Sequence, residues 1–311
     1  MISVESLNYL ISLNKPIVWT LHDMKPFTGG CHYNAGCREF EKECLNCQQL
    51  KYDPFNLANK VLQEKIEILK DANLTIVTPS NWLAEEAKKS TLFKDKRIEV
   101  IPNSIETDIY KPIKKTEAKK SFGIDSDRIV LQFGAHNAKE KRKGFEYLMD
   151  AIKLALKNEE FKELCDSGKV LILCMGHPSD ELKNLPIETI ELGFISCDEK
   201  IVKAFNATDI FVLPTLEDNL PNTMLESFAC ETPIIAFDTG GVRDVVKDGG
   251  NGIVVPKGDS KALANGILEL VFDKDKREKF GKSGRKLIES KFKLEDQAIA
   301  YTMLFKELVQ E

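Results

Sequence analysis

The sequence predicts an α/β protein built from two Rossmann-like parallel-sheet halves. Three observations carry this. Short β-branched runs alternate with amphipathic stretches along most of the chain. The alternation breaks once, across the polar, lysine-rich stretch 105–120, and then restarts. The length of 311 residues fits two domains at about 150 residues each. Strands alternating with helices imply parallel sheets joined by right-handed crossovers. A composition of 42% hydrophobic and 30% charged residues excludes disorder, collagen and a disulfide miniprotein. A formal charge of −5, from 44 basic and 49 acidic residues, gives no electrostatic footprint for bulk nucleic-acid binding. Residues 1–13 lack a basic segment before an apolar run, and Glu5 interrupts them, so they do not read as a signal peptide. Apolar runs such as Ile172–Met175 fall far short of the roughly 20 residues that span a bilayer. The expected location is the cytoplasm.

Pro16–Leu21 reads as a strand ending in His22-Asp23. Leu57–Asp71 is helical by its apolar positions Val61, Ile66 and Leu69. Leu74–Thr78 is a strand, and Ser80 is placed to cap a helix through Lys89. Arg97–Ile101 is a strand stopped by Pro102-Asn103. Past the connection, strands are expected at Ile129–Phe133, Val170–Met175, Thr189–Leu192, Asp209–Leu213, Pro233–Phe237 and Gly252–Val255. Helices are expected at Phe145–Asn158, Glu199–Ala207 and Asn222–Cys230, and from Lys279 to Gln310. In the last run Ala298, Tyr301, Leu304, Phe305 and Leu308 share one face. The predicted division is 1–107, 108–290, and a terminal helix over 291–311.

Ligands of open parallel sheets bind beyond the carboxyl ends of the strands. The loop Thr215–Asn222 sits at such an end. A helix starting at Pro221 or Asn222 would aim the backbone N–H groups of Asn222, Thr223 and Met224 outward, a site for phosphate. Glu226, one turn further, suits a ribose diol; it equally suits the positive end of the helix dipole. Lys139–Lys143 is either a solvated charged turn or an anion site. Gly240-Gly241 permits close backbone approach to a ligand, or simply a tight turn. His22, at a strand end, faces either a cleft or a local hydrogen-bond partner. Cys31, Cys37, Cys44 and Cys47 crowd into one loop, with a Cys-x2-Cys spacing in the second pair. Three readings stand: a four-thiolate structural zinc site, unmetalled thiols, or two disulfides.

The segment Phe211–Phe237 resembles the signature of glycosyltransferase family 4, the retaining GT-B transferases. That signature has an acidic residue, seven residues, then Glu, followed by a small-Cys-Gly-Thr-Pro turn and a strand. Asp218 and Glu226 have this gap. The resemblance implies that Asp218 contacts the donor sugar and Glu226 the nucleotide ribose. Glu231 stands where the family has Gly, at a helix end that favours the left-handed conformation. Ile98–Ile105 resembles the interdomain turn, with Ser104 replacing a Gly. Gly134 with Lys141–Gly144 resembles the donor-phosphate element. Lys143 matches its Lys, whereas Ala135 takes the place of its Arg, for which Arg142 or Lys141 is positioned to compensate. A leaving nucleoside diphosphate gains negative charge, and preplaced cations stabilise it. Asp238–Asp244, Trp19–Asp23 and Thr78–Trp82 also resemble family elements, and His22 there faces the acceptor and the reacting sugar. A Cys-rich insertion and the Glu-Asp-Asn-Leu-Pro-Asn-Thr run are similar to the branch of colanic-acid and surface-polysaccharide transferases.

The resemblance implies transfer of a sugar from a nucleotide-sugar to a saccharide or lipid-linked saccharide, with retention of configuration, in polysaccharide biosynthesis. It implies no catalytic metal, a peripheral contact with the inner face of the membrane, and no nucleic-acid partner. The alternatives are a non-catalytic nucleotide-sugar-binding protein or inactive fragment, and a GT-B nucleotide-sugar 2-epimerase. The first half offers about three strands where a nucleotide-type Rossmann sheet has about six, so the expectation is a first domain incomplete at its N-terminus.

Overall fold

The computed structural model describes residues 4–135, 140–176 and 180–310. It divides into two compact units: unit 1, from the N-terminus to Asn103 together with Gln297–Glu311, and unit 2, Ser104–Asp296.

Unit 1 holds a three-stranded parallel sheet of β1 (Ile17–Thr20), β2 (Leu74–Thr78) and β3 (Arg97–Val100), in that order. Register runs Ile17 to Leu74 and Thr75 to Arg97. Around it lie α1 (Val4–Ser12), α2 (Leu57–Leu69) and α3 (Asn81–Lys89). Ser80 caps α3, its hydroxyl accepting from the Leu83 N–H at 3.1 Å. Between β1 and α2 the regular structure amounts to two three-residue 3-10 turns, Lys25–Phe27 and Glu39–Glu41. That long segment is nonetheless anchored, since Leu21, Met24, Phe27 and Phe40 are buried with Leu62, Ile76 and Phe93 in one core.

Unit 2 is a six-stranded, all-parallel sheet in the order β6-β5-β4-β7-β8-β9. The strands are β4 (Ile129–Ala135), β5 (Val170–Gly176), β6 (Glu188–Glu191), β7 (Ile210–Leu213), β8 (Ile234–Phe237) and β9 (Gly252–Val255). This order reverses direction between β4 and β7, which is the switch point of a dinucleotide-type Rossmann sheet. The helices are α4 (Lys115–Lys120), α5 (Phe145–Ala155), α6 (Glu159–Asp166), α7 (Asp198–Ala207), α8 (Asn222–Ala229), α9 (Val242–Val245), α10 (Ser260–Phe272) and α11 (Lys274–Lys291). Side chains alternate across the sheet with period two. Leu131, Phe133, Val212, Ile235 and Phe237 pack on α5 and α10. Phe211, Leu213, Ile234 and Ala236 pack on α7 and α8. Both faces are covered, as an all-parallel sheet requires.

The stretch read as a connection is tied down at both ends. The Tyr110 ring is buried, and Arg285 of α11 donates to the carbonyls of Tyr110 (2.6 Å), Ala229 (2.8 Å) and Thr107 (3.2 Å). Further on, the buried Asp209 carboxylate pairs with Lys115 at 3.0 Å and Lys119 at 2.8 Å and accepts from the Val130 N–H at 3.0 Å. This pins α4 to the head of β4 and β7.

The helical run expected from Lys279 is divided between α11 and α12 (Leu294–Gln310), the second close to the terminal helix expected over 291–311. The break at Phe292-Lys293 frees the Phe292 carbonyl for the Ile105 N–H at 2.9 Å and pairs Ile105 with Lys293. On α12 the buried stripe is Leu304 and Leu308, with Ala300 and Tyr301 beside them, against Val77 and Ile101. Phe305, expected on that stripe, is 48% exposed and instead leans on the Tyr301 ring. Ala298 is also exposed. The Tyr301 hydroxyl lies 2.7 Å from the Thr20 hydroxyl, and Arg97 grips Glu307 with two bonds of 2.8 and 2.9 Å.

Candidate nucleotide-sugar site

The candidate site lies in unit 2, at the carboxyl ends of β4, β7 and β8. After β4, whose Gly134 packs beside Met175 of β5, residues 136–139 fall outside the described ones, and with them Lys139 of the expected cationic turn. The chain resumes in a 3-10 turn, Lys141–Lys143, and reaches Gly144. Gly144 has φ +68°, and a Cβ there would stand 1.8 Å from the Pro214 carbonyl oxygen just beyond β7. Only glycine lets the start of α5 approach the end of β7 so closely.

That approach brings the two expected cations to the expected acid. Lys143 Nζ is 2.7 Å from Asp218 Oδ2, and Arg142 Nη1 is 3.4 Å from the same oxygen. Arg142 is also held by Glu140 at 2.6 Å. Its carbonyl accepts from the Leu216 N–H (2.7 Å) and the Thr215 hydroxyl (3.1 Å). Asp218 itself is buried. Gly240 and Gly241 close the loop from the β8 side: the Gly241 N–H donates to the Asn219 carbonyl at 2.8 Å. Gly240 has φ +52°, and a Cβ on it would meet the Asp218 carbonyl oxygen at 1.6 Å. These glycines fix the loop backbone that carries Asp218.

Helix α8 begins at Asn222 with Pro221 as its cap residue, no side chain capping it and no acid in its first turn. One expectation fails here. The Met224 N–H is not left open but donates to the Pro221 carbonyl at 3.0 Å, because the first turn tightens to 3-10 spacing. The Met224 side chain is buried in the core. The outward groups at this terminus belong to Asn222 and Thr223, exposed and half-buried respectively.

Glu226 lines a cavity of about 420 Å³ with Asn222, Leu225, Tyr110, Asp198 and Glu106. Burial, and secondarily the charge of Asp198, pushes the Glu226 carboxyl up to about 7. The Tyr110 hydroxyl donates to Asp198 Oδ1 at 2.8 Å, and burial raises the Tyr110 phenol well above its usual range. Tyr110 and Asp198 were not legible as site residues: one stands in a polar connection, the other in an ordinary acidic first turn.

Glu231 takes the left-handed conformation at φ +58° in place of glycine. It completes a Schellman turn, with Glu231 N–H to the Phe228 carbonyl at 3.0 Å and Thr232 N–H to the Ser227 carbonyl at 2.9 Å. The helix end survives the missing glycine at the cost of backbone strain.

The other expected residues lie in unit 1. His22 is exposed, two residues past the end of β1, and is followed by Asp23, which pairs with His32 at 2.7 Å. Cys31, Cys37, Cys44 and Cys47 are free thiols, Cys44 buried and the others partly so. No helix of the described residues is long and apolar enough to cross a membrane.

Two Rossmann-like units of parallel strands, one with a cation–carboxylate cluster at its switch point, define the GT-B class. The profile of the glycosyl transferases group 1 family matches residues 114–287, more than half of the chain, and the chain belongs to that family. The capsular polysaccharide biosynthesis glycosyltransferase CapM of Staphylococcus aureus is 27% identical over 245 residues, covering 74% of this chain and 60% of CapM. A D-inositol 3-phosphate glycosyltransferase of Thermobispora bispora is 27% identical over 192 residues, covering 58% of this chain and 44% of that protein. The chain thus spans 60% or less of the length of these curated relatives. Among solved structures, a sucrose-phosphate synthase from Thermosynechococcus elongatus superposes with TM-score 0.73 at 21% identity, covering 99% of this chain and 72% of that one. HepE of Anabaena, in complex with UDP and glucose, superposes with TM-score 0.67 at 17% identity, covering 97% and 76%. These likenesses establish the fold.

Proposed function

We propose that the chain moves a sugar from a nucleotide-sugar to a saccharide or lipid-linked saccharide acceptor, with retention of configuration. The observation that carries this is the Lys143–Asp218 pair at 2.7 Å, set at the switch point beside the uncapped start of α8. In the free protein Asp218 occupies the cations. A donor diphosphate would take over Lys143 and Arg142 and the N–H groups of Asn222 and Thr223, leaving Asp218 to accept hydrogen bonds from the sugar. Glu226 would accept from the ribose diol in its cavity, and Gly134, Gly240 and Gly241 would let the backbone stand close to the donor. HepE, of like fold, was solved with UDP, which supports a uridine nucleotide as the first donor to try.

The protein's catalytic contribution on this reading is charge stabilisation and positioning. The acceptor oxygen bonds to the anomeric carbon on the face from which the diphosphate departs. The departing phosphate oxygen takes the acceptor proton, so no general base is needed. His22 is assigned a positioning role toward the acceptor. Domain limits of 1–107, 108–290 and 291–311, a cytoplasmic location and a peripheral membrane contact belong to the same reading.

A thermal-shift panel of nucleoside diphosphates and nucleotide-sugars tests it, because a ligand that binds only the folded state raises Tm by mass action. Stabilisation by one base series, followed by transfer to a saccharide acceptor with the anomeric configuration kept in the product's NMR spectrum, is the expected result. Absence of any stabilising nucleotide would remove the central claim. Binding without turnover would favour a non-catalytic binding protein, and sugar isomerisation without acceptor would favour an epimerase.

A further inference from the structure

We infer that the carboxyl-end rim of the unit 1 sheet binds one pyranose ring of the acceptor saccharide, stacked on Tyr33 and Trp82 and hydrogen-bonded by Asp23 and His32. That the saccharide is an acceptor rests on the transfer reading; the ring site rests on unit 1 alone.

Open parallel sheets take ligands beyond the carboxyl ends of their strands. In unit 1, β1 and β2 end side by side, with the Leu21 N–H donating to the Val77 carbonyl at 2.8 Å. Beyond β1 the chain turns back on itself. The Met24 N–H donates to the His32 carbonyl at 2.9 Å, and Asp23 Oδ2 meets His32 Nδ1 at 2.7 Å. Next in sequence, Tyr33 stands against Trp82 of α3, the helix that follows β2. Their ring centroids are 6.4 Å apart and their planes 23° from parallel. Side chains from two neighbouring strand ends thus form one run, an acid–imidazole pair followed by an aromatic pair.

Both rings stand on fixed backbone. The Tyr33 carbonyl accepts from Gln49 Nε2 at 2.7 Å, and the next carbonyl, of Asn34, accepts from the Cys37 N–H at 2.8 Å. Trp82 lies in the first turn of α3, which Ser80 caps. Lys65 of α2 holds the start of the loop, donating to the carbonyls of Lys25 at 2.7 Å and Thr28 at 2.8 Å. The ordering cost of this surface therefore falls on folding rather than on binding.

The chemistry of the rim matches a neutral sugar ring. A pyranose has faces of C–H bonds and an edge of hydroxyls. The negative faces of aromatic rings attract such C–H bonds, and Tyr33 and Trp82 are half-buried rather than sealed in the core. The Asp23 side chain keeps 28% of its surface exposed and that of His32 60%, so hydroxyls in solution can reach both. An ionised carboxylate has about four acceptor sites. The Lys25 N–H at 2.8 Å and His32 fill two of them, which leaves capacity for sugar hydroxyls. The bond to Asp23 places the proton of a neutral His32 ring on Nδ1, so that Nε2 accepts from a hydroxyl. An anionic ligand would meet the Asp23 charge, and a lipid chain would desolvate it. A neutral pyranose satisfies both halves of the rim.

The test reads Trp82 itself. The chain has two tryptophans, Trp19 and Trp82, so Trp19→Phe leaves Trp82 as the sole reporter. The whole Trp19→Phe chain, with no nucleotide present, is titrated with the methyl pyranosides of glucose, galactose, mannose, N-acetylglucosamine and rhamnose, and with sorbitol as an open-chain control. A saturable change in Trp82 emission with a pyranoside and none with sorbitol is expected. Saturation-transfer NMR on the unaltered chain should show the strongest transfer to ring C–H protons. Trp82→Leu and Tyr33→Leu should each weaken this binding about tenfold in the NMR titration, with far-UV circular dichroism as in the parent. Silence toward every pyranoside, an equal response to sorbitol, or undiminished binding in both leucine variants would each overturn the site. If a leucine variant fails to fold, the emission and NMR titrations of chains that keep both rings decide. Pyranoside binding without nucleotide binding would refute the transfer reading and uphold the ring site; nucleotide binding with no pyranoside response would do the reverse.

Discussion

Replacing Glu226 by Gln separates the cost of burying this carboxylate from its use. Its pKa rises from 4.5 to about 7, first by burial and then by Asp198. The folded state therefore holds a proton that the unfolded chain has lost between those two values. Stability should fall as pH rises through that window and be independent of pH, as far as this group is concerned, below about 4.5 and above about 7, where the full loss persists. At about 1.36 kcal/mol per pH unit the displacement is worth roughly 3 kcal/mol, and solvent in the cavity trims it to about 2. Glu226→Gln carries no such proton, so it should gain about 2 kcal/mol on the parent between pH 5 and pH 8. Urea unfolding of both proteins at the two pH values measures this, and the difference between the curves cancels every other titrating group. Nucleotide affinity should move the opposite way, lower in the variant and rising through pH 7 only in the parent. Parallel stability–pH curves for parent and variant would refute the reasoning.

Three other outcomes follow from the same geometry. Glu231→Gly relieves a left-handed residue and should stabilise the chain by about 1 kcal/mol after the entropy of the unfolded glycine is counted; a scan should show Tm raised by roughly 2–4 °C, and an unchanged or lower Tm contradicts the strain. Gly240→Ala places a Cβ against the Asp218 carbonyl and should cost roughly 2–3 kcal/mol, with nucleotide affinity down more than about tenfold by calorimetry. Lys143→Met removes the cation nearest Asp218 and should lower kcat by about 10²–10³ in a donor-hydrolysis or transfer assay, leaving the far-UV circular dichroism unchanged.

Much of unit 2 was legible because its signals are local. Phe211–Leu213 and Ile234–Phe237 are apolar at every position, which is how strands buried on both faces read. The polar loop between those two strands places a loop and a helix start, and the resemblance to the family signature picks out Asp218 and Glu226 within them. Lys143 entered through the resemblance of Gly134 and Lys141–Gly144 to the family's donor-phosphate element, since its charged turn alone reads equally as a solvated one. What sequence could not give depends on distant partners. Nothing in the polar run around Tyr110 announces Arg285, 175 positions later. The closing of Met224 by Pro221 is a geometric detail of one turn. Phe305 looks like a core residue by periodicity, yet a helix face is wide and only the stripe through Leu304 and Leu308 meets Val77 and Ile101.

The chain leaves unit 1 at Asn103 and returns at Gln297, and the two ends of unit 2 are stapled together where Ile105 pairs with Lys293. Unit 2 is in effect a loop of some 190 residues inserted before the terminal helix of unit 1. Folded, it delivers α12 to the sheet with its ends already met. Unfolded, it would be a slack tether, and docking Leu304 and Leu308 would first have to overcome a closure entropy of about 4–5 kcal/mol. The two units are thereby linked in stability by connectivity alone: a mutation that melts unit 2 should loosen the α12 helix of unit 1 without touching a single residue of its interface.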